Sequence, residues 1–166
     1  SLLALLLGLM FSAPPPVLAA EPRALVLGDS NIYGALGEVI EDGLAGLGYD
    51  VRRLGKPSSG LSRPDFFDWR AHARQLVARH DPAVVVMLFG GNDAQRVLEP
   101  GPPRRRAHWK DEACWRHAYE MRMRELVDIL TTEGRQVFLL GPTNRRGRIS
   151  VEKLRRVRQV QQRAVA

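Results

Sequence analysis

The stretch Leu25-Val26-Leu27-Gly28-Asp29-Ser30 decides the fold. An apolar run stops at a glycine, and a serine stands directly after an acidic residue. Short apolar runs closed by turn residues read as strands buried on both faces of a parallel sheet. In such a sheet, ligands bind outside the carboxyl ends of the strands. A serine there, at the head of a following helix, is well placed to be a nucleophile. The same pattern returns at Val84-Val85-Val86-Met87-Leu88-Phe89, which runs into Gly90-Gly91-Asn92-Asp93. Two buried strands thus end in small polar clusters that can meet at one edge of a sheet.

Outward from these two runs, apolar strands alternate with helical periods. Residues 24–28 are the first strand. Ile32, Leu36, Val39, Ile40, Leu44 and Leu47 then recur at three- and four-residue steps, the period of one amphipathic helix, with Gly46 and Gly48 suited to its end. Residues 49–54 form a second strand and 55–64 a loop. Residues 66–79 form a helix opened by Asp65 after Pro64. Residues 84–89 are the third strand. Residues 90–110, rich in Pro, Gly and Arg, make a long loop of the kind that serves as a lid or a flexible excursion. A helix over 111–133 carries Trp115, Tyr119, Leu126, Val127 and Leu130 on one side. Residues 136–140 are a fourth strand, ended by Gly141-Pro142, and Val151, Leu154, Val157 and Val160 mark a last helix. The order β-α-β-α-β-α-β-α implies a doubly wound parallel sheet with helices on both faces. One closing strand is expected after the last helix.

The 166 residues suit a single α/β domain, and 45% hydrophobic with 26% charged residues is a globular balance. The N-terminus reads differently. Residues 2–11 are almost wholly apolar, break at Pro14-Pro15-Pro16, and lead to the small residues of Val17-Leu18-Ala19-Ala20. This is the pattern of a secretory signal with its cleavage site, here without an initiator Met or a basic leading segment. The run is too short to span a bilayer, so no stable membrane span is expected. The expectation is a truncated signal over 1–20, a mature domain over 21–166, and a periplasmic or secreted protein.

Cys114 is the one cysteine, which excludes an intrachain disulfide. His72, His80, His108 and His117 have no metal-ligand spacing, so no metal is expected. The net charge of +7 collects in the second half, at Arg104-Arg105-Arg106, Arg145-Arg146, Arg148 and residues 153–158. No nucleic-acid motif accompanies it, and solvated loop and helix faces account for it, so no nucleic-acid partner is expected.

Three blocks carry the chemistry: Gly28-Asp29-Ser30, Ser58-Ser59-Gly60-Leu61, and Gly90-Gly91-Asn92-Asp93. Singly, each is ordinary turn chemistry. In this order, on these elements, they resemble the SGNH, or GDSL, family of serine hydrolases. The segment from Ser59 to Trp69 resembles a secreted bacterial branch of unassigned function. Asn31 departs from the leucine usual after the serine. The resemblance spans residues 24–144. It implies a flavodoxin-like three-layer α/β/α fold with a parallel sheet. Ser30 would be the nucleophile. The backbone N–H groups of Ser30 and Gly60 and the side chain of Asn92 would form the oxyanion hole. The helix after Ser30 would add a favourable dipole. Asp29 and Asp93 are expected to tie down their loops.

The implied reaction is ester hydrolysis through an acyl-Ser30 intermediate, without cofactor. The substrate would be a small-molecule or glycan ester, with acetylated cell-envelope carbohydrate favoured by the expected location and the basic surface. An O-acetyltransferase and a catalytically inactive envelope-binding domain are the alternatives. The family's base is a histidine in an Asp-x-x-His block after a fifth strand. These residues contain no such block: Asp68 and His72 are one residue too far apart. The catalytic Asp and His are therefore expected beyond Ala166. Trp69, Trp109 and Trp115 could line a glycan site, although core packing is the commoner fate of Trp69 and Trp115.

Overall fold

The computed structural model describes residues 20–99, 105–143 and 151–165. The expected export segment lies outside these residues except for Ala20, as do Arg104, Arg145, Arg146 and Arg148 of the basic clusters.

In chain order the elements are β1 (Arg23–Gly28), α1 (Ser30–Tyr33), α2 (Ala35–Gly46), β2 (Asp50–Gly55), α3 (Trp69–His80), β3 (Val84–Leu88), β4 (Val97–Leu98), β5 (Arg106–Ala107), α4 (Glu112–Thr131), β6 (Gln136–Leu140) and α5 (Val151–Val165). The main sheet runs in the order β2-β1-β3-β6, and all its pairings are parallel. In register, Gly28 pairs with Gly55 and with Leu88, and Leu88 pairs with Leu140. All four strands therefore end at one level. The loops after them share one edge.

The period-2 alternation of the strands divides the core. Leu25, Leu27, Val85 and Met87 face Trp69 and Ala73 of α3, Trp115, Tyr119, Met123, Leu126 and Leu130 of α4, and Val157 and Val160 of α5. Ala24, Val26, Val84, Val86 and Leu88 face the other way, against Ile32 of α1 and Ile40 and Leu44 of α2. Each fully buried Val, Leu, Ile or Met side chain among them contributes about 1.5–3 kcal/mol. β3 is buried at every position, whereas β6, at the sheet edge, leaves Phe138 exposed. This is the three-layer α/β/α architecture expected from the sequence.

Three local features differ from the expectation. The single helix after β1 is two helices, because the backbone is extended at Gly34 (φ −96°, ψ −160°). The next helix starts at Trp69, not near residue 66, because Asp68 caps it by accepting from the N–H groups of Arg70 and Ala71. The long loop contains structure: β4 and β5 pair antiparallel, Val97 opposite Ala107. Arg122 of α4, 4% exposed, holds this ribbon by donating from Nε to the Leu98 carbonyl and from Nη2 to the Glu99 carbonyl, both at 3.0 Å. Leu98 N–H in turn donates to the Ser62 carbonyl at 3.0 Å, tying the ribbon to the loop after β2.

Candidate functional site

The carboxyl edge of the sheet opens into a cleft of about 550 Å³. That is a normal size for a small-molecule site. Ser30 and Asn31 enter it after β1, Pro57 and Ser58 after β2, Gly91, Asn92, Ala94 and Gln95 after β3, and Thr143 after β6. α5 closes one side with Lys153 and Leu154.

Ser30 opens α1 and is half-buried. Asp29 caps this helix: its Oδ1 accepts from the Asn31 N–H at 2.9 Å and from Asn31 Nδ2 at 2.8 Å. Asn31 Oδ1 accepts from Thr143 Oγ1 at 3.3 Å, which links the ends of β1 and β6 across the cleft. α1 has only four residues before the break at Gly34, so the dipole expected behind Ser30 is small: it grows with the number of aligned peptide units.

Asn92 lines the same cleft and donates from Nδ2 to the Ser59 carbonyl at 2.8 Å. An amide nitrogen carries two protons, so a second donor remains on that atom for a ligand. Gly90, before it, sits at φ +119°, where a side chain would be strained. Ser58 also adopts a positive φ, +62°, on the cleft wall. A non-glycine residue held there stores on the order of 1 kcal/mol of strain, and such strain collects at functional sites.

Gly60 is buried and lies behind the cleft lining. Its lack of a side chain is required by close packing: a Cβ would lie 2.3 Å from Oδ1 of Asp93. The loop around it is fixed from several sides. Ser59 Oγ donates to the Lys56 carbonyl at 2.7 Å and accepts from Trp69 Nε1 at 3.0 Å. Ser62 N–H donates to Asp93 Oδ1 at 2.8 Å, and Ser62 Oγ donates to the Asp93 carbonyl at 3.0 Å.

Asp93 is wholly buried. Burial pushes its carboxyl up to about 6, against the lowering effect of the Ser62 and Tyr119 donors and with the Asp29 charge adding to the rise. Tyr119 Oη donates to Asp93 Oδ2 at 3.1 Å, and burial holds that phenol well above its usual range. Gln161 of α5 donates from Nε2 to Tyr119 Oη at 3.2 Å and to the Phe89 carbonyl at 3.0 Å. Both aspartates thus tie down loops, as expected.

Of the expected site residues, Ser30 and Asn92 share the cleft and Gly60 stands behind it. Among the described residues that line the cleft there is no histidine. His72 is stacked on Phe67, with its Nδ1 at the Asp68 carbonyl, and His108 Nδ1 accepts from the Lys110 N–H. Trp69 and Trp115 are core residues, and Trp109 lies beneath the Arg156 guanidinium; none lines the cleft. Among the described residues no group of three or more His, Cys, Asp or Glu side chains could hold a metal. No helix among them is long and apolar enough to cross a membrane.

The expected site omitted Gln95, Thr143, Lys153 and the Tyr119–Gln161 pair. One signal pointed to the pair. Gln161 stands on the apolar stripe formed by Leu154, Val157 and Ala164, and a polar residue on such a stripe implies a buried partner.

A doubly wound parallel domain with a serine at the end of β1 and a Gly-Gly-Asn-Asp turn after β3 is an SGNH hydrolase-like fold. Residues 23–166 match the family described as "Protein of unknown function (DUF459)", and the chain belongs to that family. No curated protein matches the sequence. Solved structures that resemble it include the following three. A proposed acylhydrolase from Bacteroides fragilis is 19% identical with a TM-score of 0.46, covering 74% of this chain and 49% of its own. A gut microbial diltiazem-metabolizing enzyme is 13% identical with a TM-score of 0.52, covering 90% and 36%. A catalytic mutant of an acetylxylan esterase from Geobacillus stearothermophilus is 18% identical with a TM-score of 0.49, covering 90% and 73%. The chain thus spans about half of the first and about a third of the second. At these identities the likeness is one of fold.

Proposed function

We propose that this protein is a serine esterase that removes a short acyl group, acetyl in the first instance, from a polyhydroxylated alcohol such as a cell-envelope carbohydrate. The observation that carries the reading is that Ser30 and Asn92, from the ends of neighbouring strands, line one cleft.

Ser30 Oγ attacks the ester carbonyl. The negative charge that develops on the carbonyl oxygen is met by the Ser30 and Gly60 N–H groups and by Asn92 Nδ2. One preorganised donor of this kind is typically worth about 2.7–4 kcal/mol. A general base takes the Ser30 proton and passes it to the departing alcohol, leaving acyl-Ser30. Water then attacks the acyl carbon, gives its proton to the same base, and releases the acid and free Ser30. By the family resemblance, that base is the histidine of an Asp-x-x-His block.

The lining favours a small acyl group. Among the described residues its apolar side chains are Pro57, Ala94 and Leu154, too few for a long acyl chain. Asn31, Ser58, Gln95 and Thr143 supply the hydrogen-bonding groups that a sugar would meet. Export to the cell envelope completes the reading.

The test is active-site labelling. In the protein encoded by the complete reading frame, a fluorophosphonate should modify Ser30, located by peptide mass spectrometry, and Ser30→Ala should abolish both labelling and p-nitrophenyl acetate turnover. A wild-type protein that is never labelled at Ser30 sinks the esterase reading and leaves the cleft as a binding site.

A further inference from the structure

We infer that Tyr119 and Gln161 are positioning residues for the loop that carries Gly60, acting through the buried Asp93 carboxylate. The inference rests on the reading of Gly60 as an oxyanion donor. None of the three touches the cleft, yet their hydrogen bonds run without a gap from α5 to that loop.

At one end, Gln161 is 2% exposed and its amide is oriented by donation to the Phe89 carbonyl at the end of β3. The same nitrogen donates to Tyr119 Oη. With that lone pair occupied, the Tyr119 proton is directed at Asp93 Oδ2. Asp93 Oδ1 accepts from the Ser62 N–H and lies against Gly60, leaving no room for a side chain there. The carboxylate therefore fixes the Ser59–Ser62 turn from below, while Asn92 Nδ2 holds its Ser59 carbonyl from the side. Asn92 and Gly60, the two groups expected to share an oxyanion, are set relative to each other by one rigid turn.

The arrangement presents a donor to each carboxyl oxygen, so it favours the ionised form. The groups acting on Asp93 are Ser62 from the loop after β2, Tyr119 from α4 and the Asp29 carboxyl at the end of β1. The first two favour ionisation as donors and the third opposes it. Replacing Tyr119 by Phe keeps the ring stacked on Trp115 and deletes the hydroxyl, which is the donor to Asp93 and the acceptor for Gln161 Nε2. The Asp93 carboxyl must then titrate at higher pH.

The experiment compares wild type, Tyr119→Phe and Gln161→Met in the full-length protein. The backbone amide resonances of Gly60 and Ser62 are followed against pH, since they need no turnover and do not report the general base. In wild type both should move with a midpoint near 6. In Tyr119→Phe that midpoint should move alkaline, and in Gln161→Met it should move the same way by less. Turnover of p-nitrophenyl acetate at neutral pH should fall about tenfold in Tyr119→Phe with KM unchanged, as misplacement of a transition-state donor implies. Amide midpoints that both variants leave where they are in wild type overturn the inference. So does an alkaline shift accompanied by unaltered turnover. If wild type itself shows neither turnover nor Ser30 labelling, the esterase reading has failed. The amide midpoints then still decide whether Tyr119 and Gln161 set the loop.

Discussion

Replacing Asp93 by Asn should make the protein more stable at neutral and alkaline pH, although it removes a charged hydrogen-bonding group from the centre of the site. The carboxyl titrates at about 6 in the folded protein against 3.8 for the free group. The folded state therefore binds this proton more tightly than the unfolded chain does. Stability from this group is fully present below about 3.8 and is lost as pH rises through about 6. A shift of roughly two units, at about 1.36 kcal/mol each, gives a loss of about 3 kcal/mol. Asn does not titrate and escapes it. The amide oxygen can still accept from the Ser62 N–H, but its nitrogen faces the Tyr119 hydroxyl, whose proton must turn away. That costs about 1 kcal/mol at every pH. The quantity to measure is thus the difference between variant and wild type as a function of pH, from urea unfolding with the slope m unchanged. It should move in favour of Asp93→Asn by about 3 kcal/mol between about pH 3.5 and pH 8, with most of the change between about 3.8 and about 6. In melting temperature this is roughly 6–12 °C for a domain of this size. Asp65, Asp111 and Glu112, held below the usual carboxylate range by hydrogen bonds, impose the opposite pH trend on both proteins and cancel in the difference. A difference that is flat in pH, or that moves toward wild type as pH rises, would refute the burial argument.

Asn92→Ala should lower kcat by about two to three orders of magnitude with little change in KM, because an oxyanion donor acts mainly in the transition state; steady-state ester kinetics decide this, and Asn92→Asp should be worse. Gly60→Ala should both destabilise the fold and depress turnover, since its Cβ would stand 2.3 Å from Asp93 Oδ1; thermal melts and kinetics of the same preparation check the pairing of the two effects. Arg122→Met should loosen the β4–β5 ribbon, leaving the Leu98 and Glu99 carbonyls without their donor; faster amide exchange at Leu98, with the sheet unaffected, is the expected result. Expressed in a bacterial host, the protein should be exported and cut after Ala19 or Ala20, which intact-mass analysis of the exported form decides.

The sheet was legible because burial on both faces leaves an unambiguous mark. Val84 to Leu88 has no polar residue, and every position is buried. The ends of those strands were equally plain, since Gly28-Asp29-Ser30 and Gly90-Gly91-Asn92-Asp93 are turns by composition. What could not be read was anything set by contacts remote in sequence. The β4–β5 ribbon depends on Arg122, some two dozen residues away, and no local propensity of Val97-Leu98 announces it. The break at Gly34 was hidden because Ile32, Leu36 and Ile40 keep a helical spacing across it. Lys153 and Leu154 reach the cleft because α5 packs against α4, so its position follows from tertiary packing and not from the period of its apolar stripe.

Asn92 and Asp93 are neighbours with opposite environments, and their division of labour explains why the second is a carboxylate. Asn92 faces the cleft, where a neutral amide can donate to an anion without itself titrating. Asp93 faces the interior, where it must receive two donors, the Ser62 N–H and the Tyr119 hydroxyl. An asparagine at 93 could receive one of them but would present a donor to the other. Only an ionised side chain of this length accepts at both oxygens, and the interior exacts about 3 kcal/mol for it at neutral pH by the linkage argument. A buried charge that could be replaced by a more stable neutral residue is weak evidence for stability and better evidence for fixing a particular arrangement. The arrangement fixed here is the separation between the Gly60 turn and the Asn92 amide. Stability and catalysis should therefore respond in opposite directions at position 93: the variant that resists urea better at pH 8 should be the poorer esterase. A variant that is both more stable and fully active would leave the buried charge without a function in this site.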